Sequence, residues 1–249
     1  MIRTLWKPSP FFRARGNYPL DMIIIHHIGS DAGKLYSISG TITWFTSTGA
    51  HKNPQTGAIE NPVSAHYAIP RAPQADYDVV QFVKDTDTAY HAGVSQWVVN
   101  GKTRNNINNY SIGIELEGDG NLVAYTDFQY TTLTDLLSTL ISKYKISGNL
   151  IVGHQDIAPT RKVDPGKLFD WDRIHREIGP SRVVASADSS SSTPAPVAVI
   201  TVVPQATVPP VEMVPDDQFH MGGGTDKDGR PSNFLASFLK MLTSLFRVS

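Results

Sequence analysis

Cysteine is absent from the 249 residues of this chain. The absence excludes a disulfide framework, a cysteine nucleophile and every metal site that depends on thiolate ligands. If the protein binds a metal, histidine and carboxylate side chains must hold it.

Long apolar runs and an excess of charge of one sign are also missing. No stretch approaches the roughly 18 apolar residues of a membrane-spanning helix. The first eight residues lack the apolar core of a secretory signal, so we expect a protein made in the cytoplasm without a signal peptide. The 22 basic and 23 acidic side chains nearly cancel, and this balance argues against nucleic acid as a partner.

Composition divides the chain into three parts. Residues 1–182 have the mixed apolar, aromatic and polar content of a globular domain. Residues 183–232 are rich in proline, serine and valine, which predicts a linker, with a short strand as the alternative. Residues 233–249 place apolar side chains at helical spacing and predict a short cationic amphipathic helix. This helix would contact a membrane surface or the envelope, or fold back over an apolar patch of the domain.

Three strands and one long helix can be assigned within the first part. Apolar runs and period-two alternation predict strands at 22–27, 111–117 and 150–153. Thr132–Asp135 resembles a capping box, and an apolar helix face follows as far as Tyr144. Strands alternate with helical segments, so the fold class is α/β or mixed α+β.

Histidines stand at the ends of two of these strands. Successive strand residues point to opposite faces, so only one of His26 and His27 can join a given site. His154 directly follows the strand at 150–153. Open α/β sheets tend to build their sites at this end of the strands, and the two histidines therefore suggest a common site.

Carboxylates and a lysine near these histidines would complete a hydrolytic zinc site. An extended backbone before Pro165 would turn Lys162 and Asp164 to the same side. Two imidazoles and one carboxylate leave a coordination position for water, as in catalytic zinc sites. Glu115 and Glu117 share one face of their strand, and a carboxylate there could accept a proton from that water. Each residue also has an ordinary structural explanation, and spacing alone does not decide between the two.

Five segments in order resemble the zinc-dependent N-acetylmuramoyl-L-alanine amidases, a family that includes AmpD-like enzymes, many phage endolysins and the peptidoglycan recognition proteins. The most specific segment is the run from Gly153 to Gly166, with Phe169-Asp170-Trp171 behind it. The other four are Ile23–His27, Val63–Tyr67, His91–Ser95 and Asn109–Gly118. The resemblance covers about residues 21–178 and implies a central mixed sheet flanked by helices, with zinc in a cleft at the sheet edge.

The resemblance also implies a role for individual residues. His26, His154 and Asp164 would bind one Zn²⁺ ion. Glu115 would be the catalytic acid and base, and Lys162 would stabilise the oxyanion of the tetrahedral intermediate.

A second set of residues would surround this centre. His91, with Tyr90, Ala92 and Gly93 beside it, would line the substrate groove. His66 would support the fold next to the site.

The implied reaction is hydrolysis of the amide that joins the lactyl group of muramic acid to the L-alanine of the stem peptide. The partner is then peptidoglycan or its muropeptide fragments, and we expect a monomer. Because a linker and a cationic helix follow the domain, the leading hypothesis is a phage or prophage endolysin that acts on the wall after release.

Three alternatives stay open at this point. A cytoplasmic amidase that recycles soluble muropeptides would use the same chemistry but has little need of the tail. A noncatalytic wall-binding module would use the same fold without the reaction. A glycosidase would need a metal-free carboxylate pair, for which Glu115 and Glu117 are the candidates.

Overall fold

The computed structural model describes residues 2–179. The predicted linker at 183–232 and the predicted helix at 233–249 lie outside the described residues. Within residues 2–179, no helix has the length and apolar character needed to cross a membrane.

Twelve strands and four α-helices make up the described part of the chain. The strands are β1 (Thr4–Trp6), β2 (Phe12–Ala14), β3 (Met22–His27), β4 (Ser30–Asp31), β5 (Lys34–Leu35), β6 (Tyr67–Ile69), β7 (Val79–Gln81), β8 (Asp87–Ala89), β9 (Gln96–Val99), β10 (Lys102–Asn105), β11 (Ser111–Leu116) and β12 (Ile151–Gly153). The helices are α1 (Ile38–Thr46), α2 (Asp127–Tyr144), α3 (His154–Ile157) and α4 (Trp171–Ile178).

A six-stranded mixed sheet lies at the centre, with strand order β1-β7-β6-β11-β3-β12. β3 pairs in parallel with both β11 and β12, whereas β6 and β7 run antiparallel. Three two-stranded sheets, β9 with β10, β2 with β8 and β4 with β5, complete the strand pairing. The predicted mixed sheet with flanking helices is therefore confirmed.

The strand β3 is buried on both faces, which explains its unbroken apolar run. Ile23 and Ile25 belong to a core cluster that also contains the inward side chains of α2 and α4. Met22 and Ile24 point the other way, into a second cluster. His26 continues the row of Met22 and Ile24, so its imidazole lies on the face opposite α2.

The long helix α2 begins earlier than the sequence pattern predicted. Its N-cap is Thr126, whose hydroxyl accepts a hydrogen bond from the Gln129 amide at 3.2 Å, while the Gln129 side chain accepts from the Thr126 amide at 3.1 Å. The prediction of a start at Thr132 was wrong, because Thr132 is buried within the helix. Both segments fit the capping-box pattern, and only the first is the helix end.

Candidate metal centre

Strand register brings three of the predicted site residues to one edge of the sheet. Glu115 on β11 is the direct partner of His26 on β3. Gly153 on β12 pairs with Ile25, so His154, the next residue, comes level with His26. Parallel strands end at a common edge, and the side chains that follow or end them meet there.

His26, His154 and Asp164 form a compact cluster of donor atoms. The Nδ1 atom of His26 lies 3.0 Å from Nδ1 of His154 and 3.0 Å from Oδ2 of Asp164. Nδ1 of His154 lies 3.1 Å from the same Oδ2. All three residues are buried, and within residues 2–179 they are the group whose ligand atoms converge in this way. Two imidazole nitrogens and one carboxylate oxygen fit a divalent cation.

The loop that carries Asp164 is fixed by backbone contacts on both sides. The Asp164 carbonyl accepts a hydrogen bond from the Gln155 amide at 2.9 Å, and the Tyr125 hydroxyl donates to the Pro165 carbonyl at 2.6 Å. A Cβ atom at Gly120 would lie 1.9 Å from the Pro165 carbonyl oxygen, so only glycine leaves room for this loop. These contacts fix the backbone at Asp164 and Pro165 and so limit where the Asp164 carboxylate can lie.

The protonation states of the cluster suit metal binding. Burial, followed by the neighbouring His154, lowers the pKa of His26 to about 4, which keeps this imidazole neutral. Burial opposes ionisation of Asp164, but its close contacts with His154 and His26 outweigh burial and hold its pKa well below the usual value. Metal binding requires these forms, a neutral imidazole and a charged carboxylate.

Glu115 lies next to His26 in the strand register, and one of its two carboxylate oxygens is unpartnered within the described residues. Its Oε2 atom is buried and has no hydrogen-bond partner in the part of the chain that the structure describes. Burial, and then the charge of Asp164, raise the pKa of Glu115 well above the usual value, while Lys162 opposes this rise. A carboxyl group with a raised pKa is suited to proton transfer near neutral pH.

Lys162 lies on the loop that leads to Asp164. Its amide donates to the Ala158 carbonyl at 2.9 Å, and its side chain is half-buried. Val163 is 64% exposed between half-buried Lys162 and buried Asp164, the alternation of an extended segment before proline. Burial lowers the pKa of Lys162, against the opposing charges of Asp164 and Glu115. The positive charge of the Lys162 ammonium group therefore attracts the carboxylates of both Asp164 and Glu115.

His91 and Ala92 lie behind the donor-atom cluster of His26, His154 and Asp164. Nδ1 of His91 is 3.0 Å from Nε2 of His26, and the Ala92 carbonyl is 3.1 Å from Nε2 of His154. Both residues are buried. An added Cβ at Gly113 would lie 2.4 Å from the His91 ring, so this glycine makes the room that the imidazole occupies.

Tyr90 and Gly93, the other two residues of the predicted substrate groove, are half-buried. The Tyr90 amide donates to the Ser64 hydroxyl at 3.0 Å. The groove-lining role of Tyr90, His91, Ala92 and Gly93 stays a prediction. The contacts described above place the buried His91 and Ala92 against the rings of His26 and His154.

His27 and Glu117 are engaged elsewhere. Nδ1 of His27 accepts a hydrogen bond from the Gly120 amide at 3.2 Å and lies outside the donor cluster. The Glu117 carboxylate accepts from the Ile38 amide at 2.7 Å and the Arg71 amide at 2.8 Å. These contacts tie α1 and the end of β6 to β11, so Glu117 has a structural function.

His66 and Arg15 form a buried polar support next to the site. Nδ1 of His66 accepts from the Gly113 amide at 3.0 Å, and its Nε2 lies 3.1 Å from the Asp87 carbonyl. The Arg15 guanidinium is 3.3 Å from Nε2 of His66 and donates to a set of backbone carbonyls, those of Asp85, Asp87, Asn108, Asn109 and Ser111. Nothing in the sequence marked Arg15 as a buried residue near the site, because an arginine before glycine is typical of a surface turn.

The buried His66 predicts a loss of stability in acid. Burial lowers its pKa from 6.5 to about 3, so between these values the unfolded chain takes up a proton that the native chain does not. The free energy of unfolding should therefore fall as the pH drops from 6.5 towards 3, by about 1.4 kcal/mol per pH unit for this residue. Urea unfolding of the metal-free protein across this range measures the slope. His66→Gln should have a shallower slope by about one proton, and equal slopes would refute the assignment.

Comparison with known proteins agrees with this geometry. Residues 16–167 match the family model described as N-acetylmuramoyl-L-alanine amidase. The 1,6-anhydro-N-acetylmuramyl-L-alanine amidase AmpD of Citrobacter freundii is 38% identical over 178 residues, which is 70% of this chain and 89% of that protein. AmpD of Escherichia coli strain K12 is 39% identical over 171 residues, 67% of this chain and 87% of that protein.

A solved structure shows the same fold. The crystal structure of a selenomethionine derivative of AmpD superposes with a TM-score of 0.58 at 34% sequence identity, covering 72% of this chain and 96% of that one. The family predicted from the sequence motifs is confirmed, and the chain belongs to the N-acetylmuramoyl-L-alanine amidase family of enzymes.

Proposed function

We propose that this amidase uses zinc to cleave the bond between the muramic acid lactyl group and L-alanine in small, soluble muropeptides that carry a 1,6-anhydro sugar. The observation that carries the proposal is the convergence of His26, His154 and Asp164, with Glu115 in register beside His26. This is the donor set of a hydrolytic zinc site next to a carboxyl group that can transfer protons.

The relatives support the choice of substrate class. The AmpD proteins of Citrobacter freundii and Escherichia coli, named for the 1,6-anhydro-muramyl substrate, match this chain over most of their own length. This match favours the recycling hypothesis over the endolysin hypothesis. The endolysin hypothesis depended on residues 183–249, which lie outside both the family match and the described residues.

His26, His154 and Asp164 would hold the zinc ion through Nδ1, Nδ1 and Oδ2. Bound zinc would supply a Lewis acid that polarises the scissile carbonyl and lowers the pKa of a water molecule. The backbone contacts of Asp164 and the buried rings of the two histidines keep the three ligand atoms in place before any ion binds. Little reorganisation would therefore accompany metal binding.

Glu115 and Lys162 perform the remaining steps. Glu115 would accept a proton from the attacking water and return it to the leaving amine of L-alanine. Its raised pKa allows the carboxyl group to hold that proton between the two transfers. The Lys162 ammonium would stabilise the negative charge that develops on the carbonyl oxygen.

Products from two substrates test the proposal. The zinc-loaded full chain is incubated with a soluble 1,6-anhydro-muramyl tripeptide or with purified peptidoglycan, and the products are identified by mass spectrometry. We expect free peptides that begin with L-alanine, intact sugar linkages and faster cleavage of the soluble substrate. Faster cleavage of intact wall would restore the endolysin hypothesis. Cut sugar linkages, or no cleavage by zinc-loaded protein, would refute the amidase mechanism.

A further inference from the structure

A row of buried hydrogen-bonding groups leads away from the donor-atom cluster of His26, His154 and Asp164. Nε2 of His26 lies 3.0 Å from Nδ1 of His91. Nε2 of His91 lies 3.3 Å from the Ser111 hydroxyl, which in turn lies 2.7 Å from the Ile107 carbonyl. All four residues are at most 4% exposed. The row therefore joins a predicted zinc ligand to a fixed backbone carbonyl.

The direction of each hydrogen bond in this row follows from the Ile107 carbonyl, which ends the row on the side away from the cluster. The Ile107 carbonyl can only accept, so the single Ser111 hydroxyl proton is donated to it. Ser111 can then only accept from His91, which must carry its proton on Nε2. A neutral imidazole has one N–H group, so Nδ1 of His91 is an acceptor. It accepts from Nε2 of His26, and the lone pair of His26 is left on Nδ1.

His91 is held in the neutral form that this direction requires. Its ring is buried, and the rings of His26 and His66 meet it edge to face at centroid distances of 5.1 and 5.6 Å. Burial of the ring away from water favours the uncharged imidazole over the charged one. The nitrogens of His66 are engaged by Gly113 and Asp87, so they do not compete for His91.

The second histidine ligand is oriented in a simpler way. Nε2 of His154 faces the Ala92 carbonyl at 3.1 Å, and a carbonyl can only accept. His154 must therefore also carry its proton on Nε2 and its lone pair on Nδ1. Arg161 donates to the same carbonyl at 2.8 Å and helps to hold it in place. Backbone determines the tautomer of His154, whereas side chains determine that of His26.

We propose that Ser111 and His91 are positioning residues that set the tautomer of His26 and so direct its Nδ1 lone pair to the metal. The proposal rests on the proposed function, because it assumes that the cluster binds zinc. The opposite tautomer of His26 would place two lone pairs against each other, or would reverse the hydrogen bonds so that Ser111 donates to His91 and loses its hydrogen bond with the Ile107 carbonyl. Metal-ligating histidines are commonly fixed by a partner on the second ring nitrogen.

Replacement of Ser111 by alanine tests this relay in the full chain. Ring ¹⁵N NMR of the metal-free protein should show His26 and His91 both protonated on Nε2. In Ser111→Ala, the Nδ1-protonated forms should become populated, and zinc affinity, measured by competition with a chelator, should fall about tenfold. His91→Phe removes the whole relay and should lower zinc affinity by about 100-fold.

Thr134→Ala provides the matched control. The Thr134 hydroxyl is also buried, but it donates to Glu177 between α2 and α4, on the opposite face of the sheet. We expect this variant to lose stability while keeping the wild-type tautomers and zinc affinity. If Ser111 had a purely structural role, Ser111→Ala would behave like Thr134→Ala. Equal zinc affinities of these two variants would therefore overturn the proposal.

The wild-type spectrum decides the question even if Ser111→Ala fails to fold. A proton on Nδ1 of His26 or His91 in the metal-free protein would refute the relay. The readouts need no turnover, so the two proposals fail separately. A zinc-binding protein with the expected tautomers that cleaves no muropeptide would refute only the proposed function, and an active amidase with the opposite tautomers would refute only the relay.

Discussion

Glu115→Gln is expected to lower kcat by about 10²- to 10⁴-fold, the range usual for loss of a general acid and base. The amide has the shape of the carboxyl group but cannot accept a proton from water. Because Glu115 is not among the converging ligand atoms, zinc should still bind with wild-type stoichiometry. Initial rates on the soluble muropeptide and the metal content of the purified variant measure the two effects.

The stability of this variant should equal or exceed that of the wild type. The Oε2 atom of Glu115 is buried without a hydrogen-bond partner among residues 2–179, so a neutral amide removes the difficulty of ionising a buried carboxyl group. Asp172→Asn on the exposed side of α4 controls for a change of carboxylate to amide and should keep full activity. Turnover by Glu115→Gln within tenfold of the wild type would contradict the catalytic assignment.

Asp164→Asn is expected to abolish tight zinc binding and, with it, activity. The carboxylate lies 3.0 and 3.1 Å from the two histidine Nδ1 atoms and is the only charged member of the cluster. Loss of a residue that only hydrogen-bonds to a metal ligand commonly lowers metal affinity about 10- to 100-fold. Loss of the Asp164 carboxylate, a proposed ligand itself, should therefore lower zinc affinity by more than about 100-fold. Competition with a chelator measures the change, and thermal unfolding with and without zinc gives a second readout.

Asp119→Asn is the matched control for this change. Asp119 also lies beside a histidine, with Oδ1 3.7 Å from Nδ1 of His27, but both residues stand outside the donor cluster. Zinc affinity should be retained in this variant. If Asp119→Asn and Asp164→Asn bind zinc equally well, then Asp164 is not a ligand.

Much of the site follows from local sequence rules. Alternation along β3 limits the site to one of two adjacent histidines, and the structure brings His26, not His27, into the cluster. The same alternation on β11 puts Glu115 on the face opposite Ile114 and Leu116. The side chains lie on the faces that the alternation predicts, because the side-chain period of a strand is a property of the backbone itself.

Other predictions needed information that the local pattern does not hold. Thr126 and Thr132 both begin segments that fit a capping box, and burial of Thr132 in the core decided between them. Composition of the tail favoured an endolysin, whereas the match to the AmpD proteins favours the recycling alternative. Composition indicates what kind of surface a tail could bind but carries no information about which substrate the enzyme cleaves.

The class of fold, and the strand ends at which the histidines stand, could be predicted from the sequence because they depend on periodicity and on residue chemistry. Long-range packing alone brings His91 against His26, buries Arg15 beside His66 and makes Glu115 the direct neighbour of His26. Each of these contacts joins residues more than 50 positions apart. Strand order and register bring them together, and no local spacing encodes which distant strand will be the neighbour.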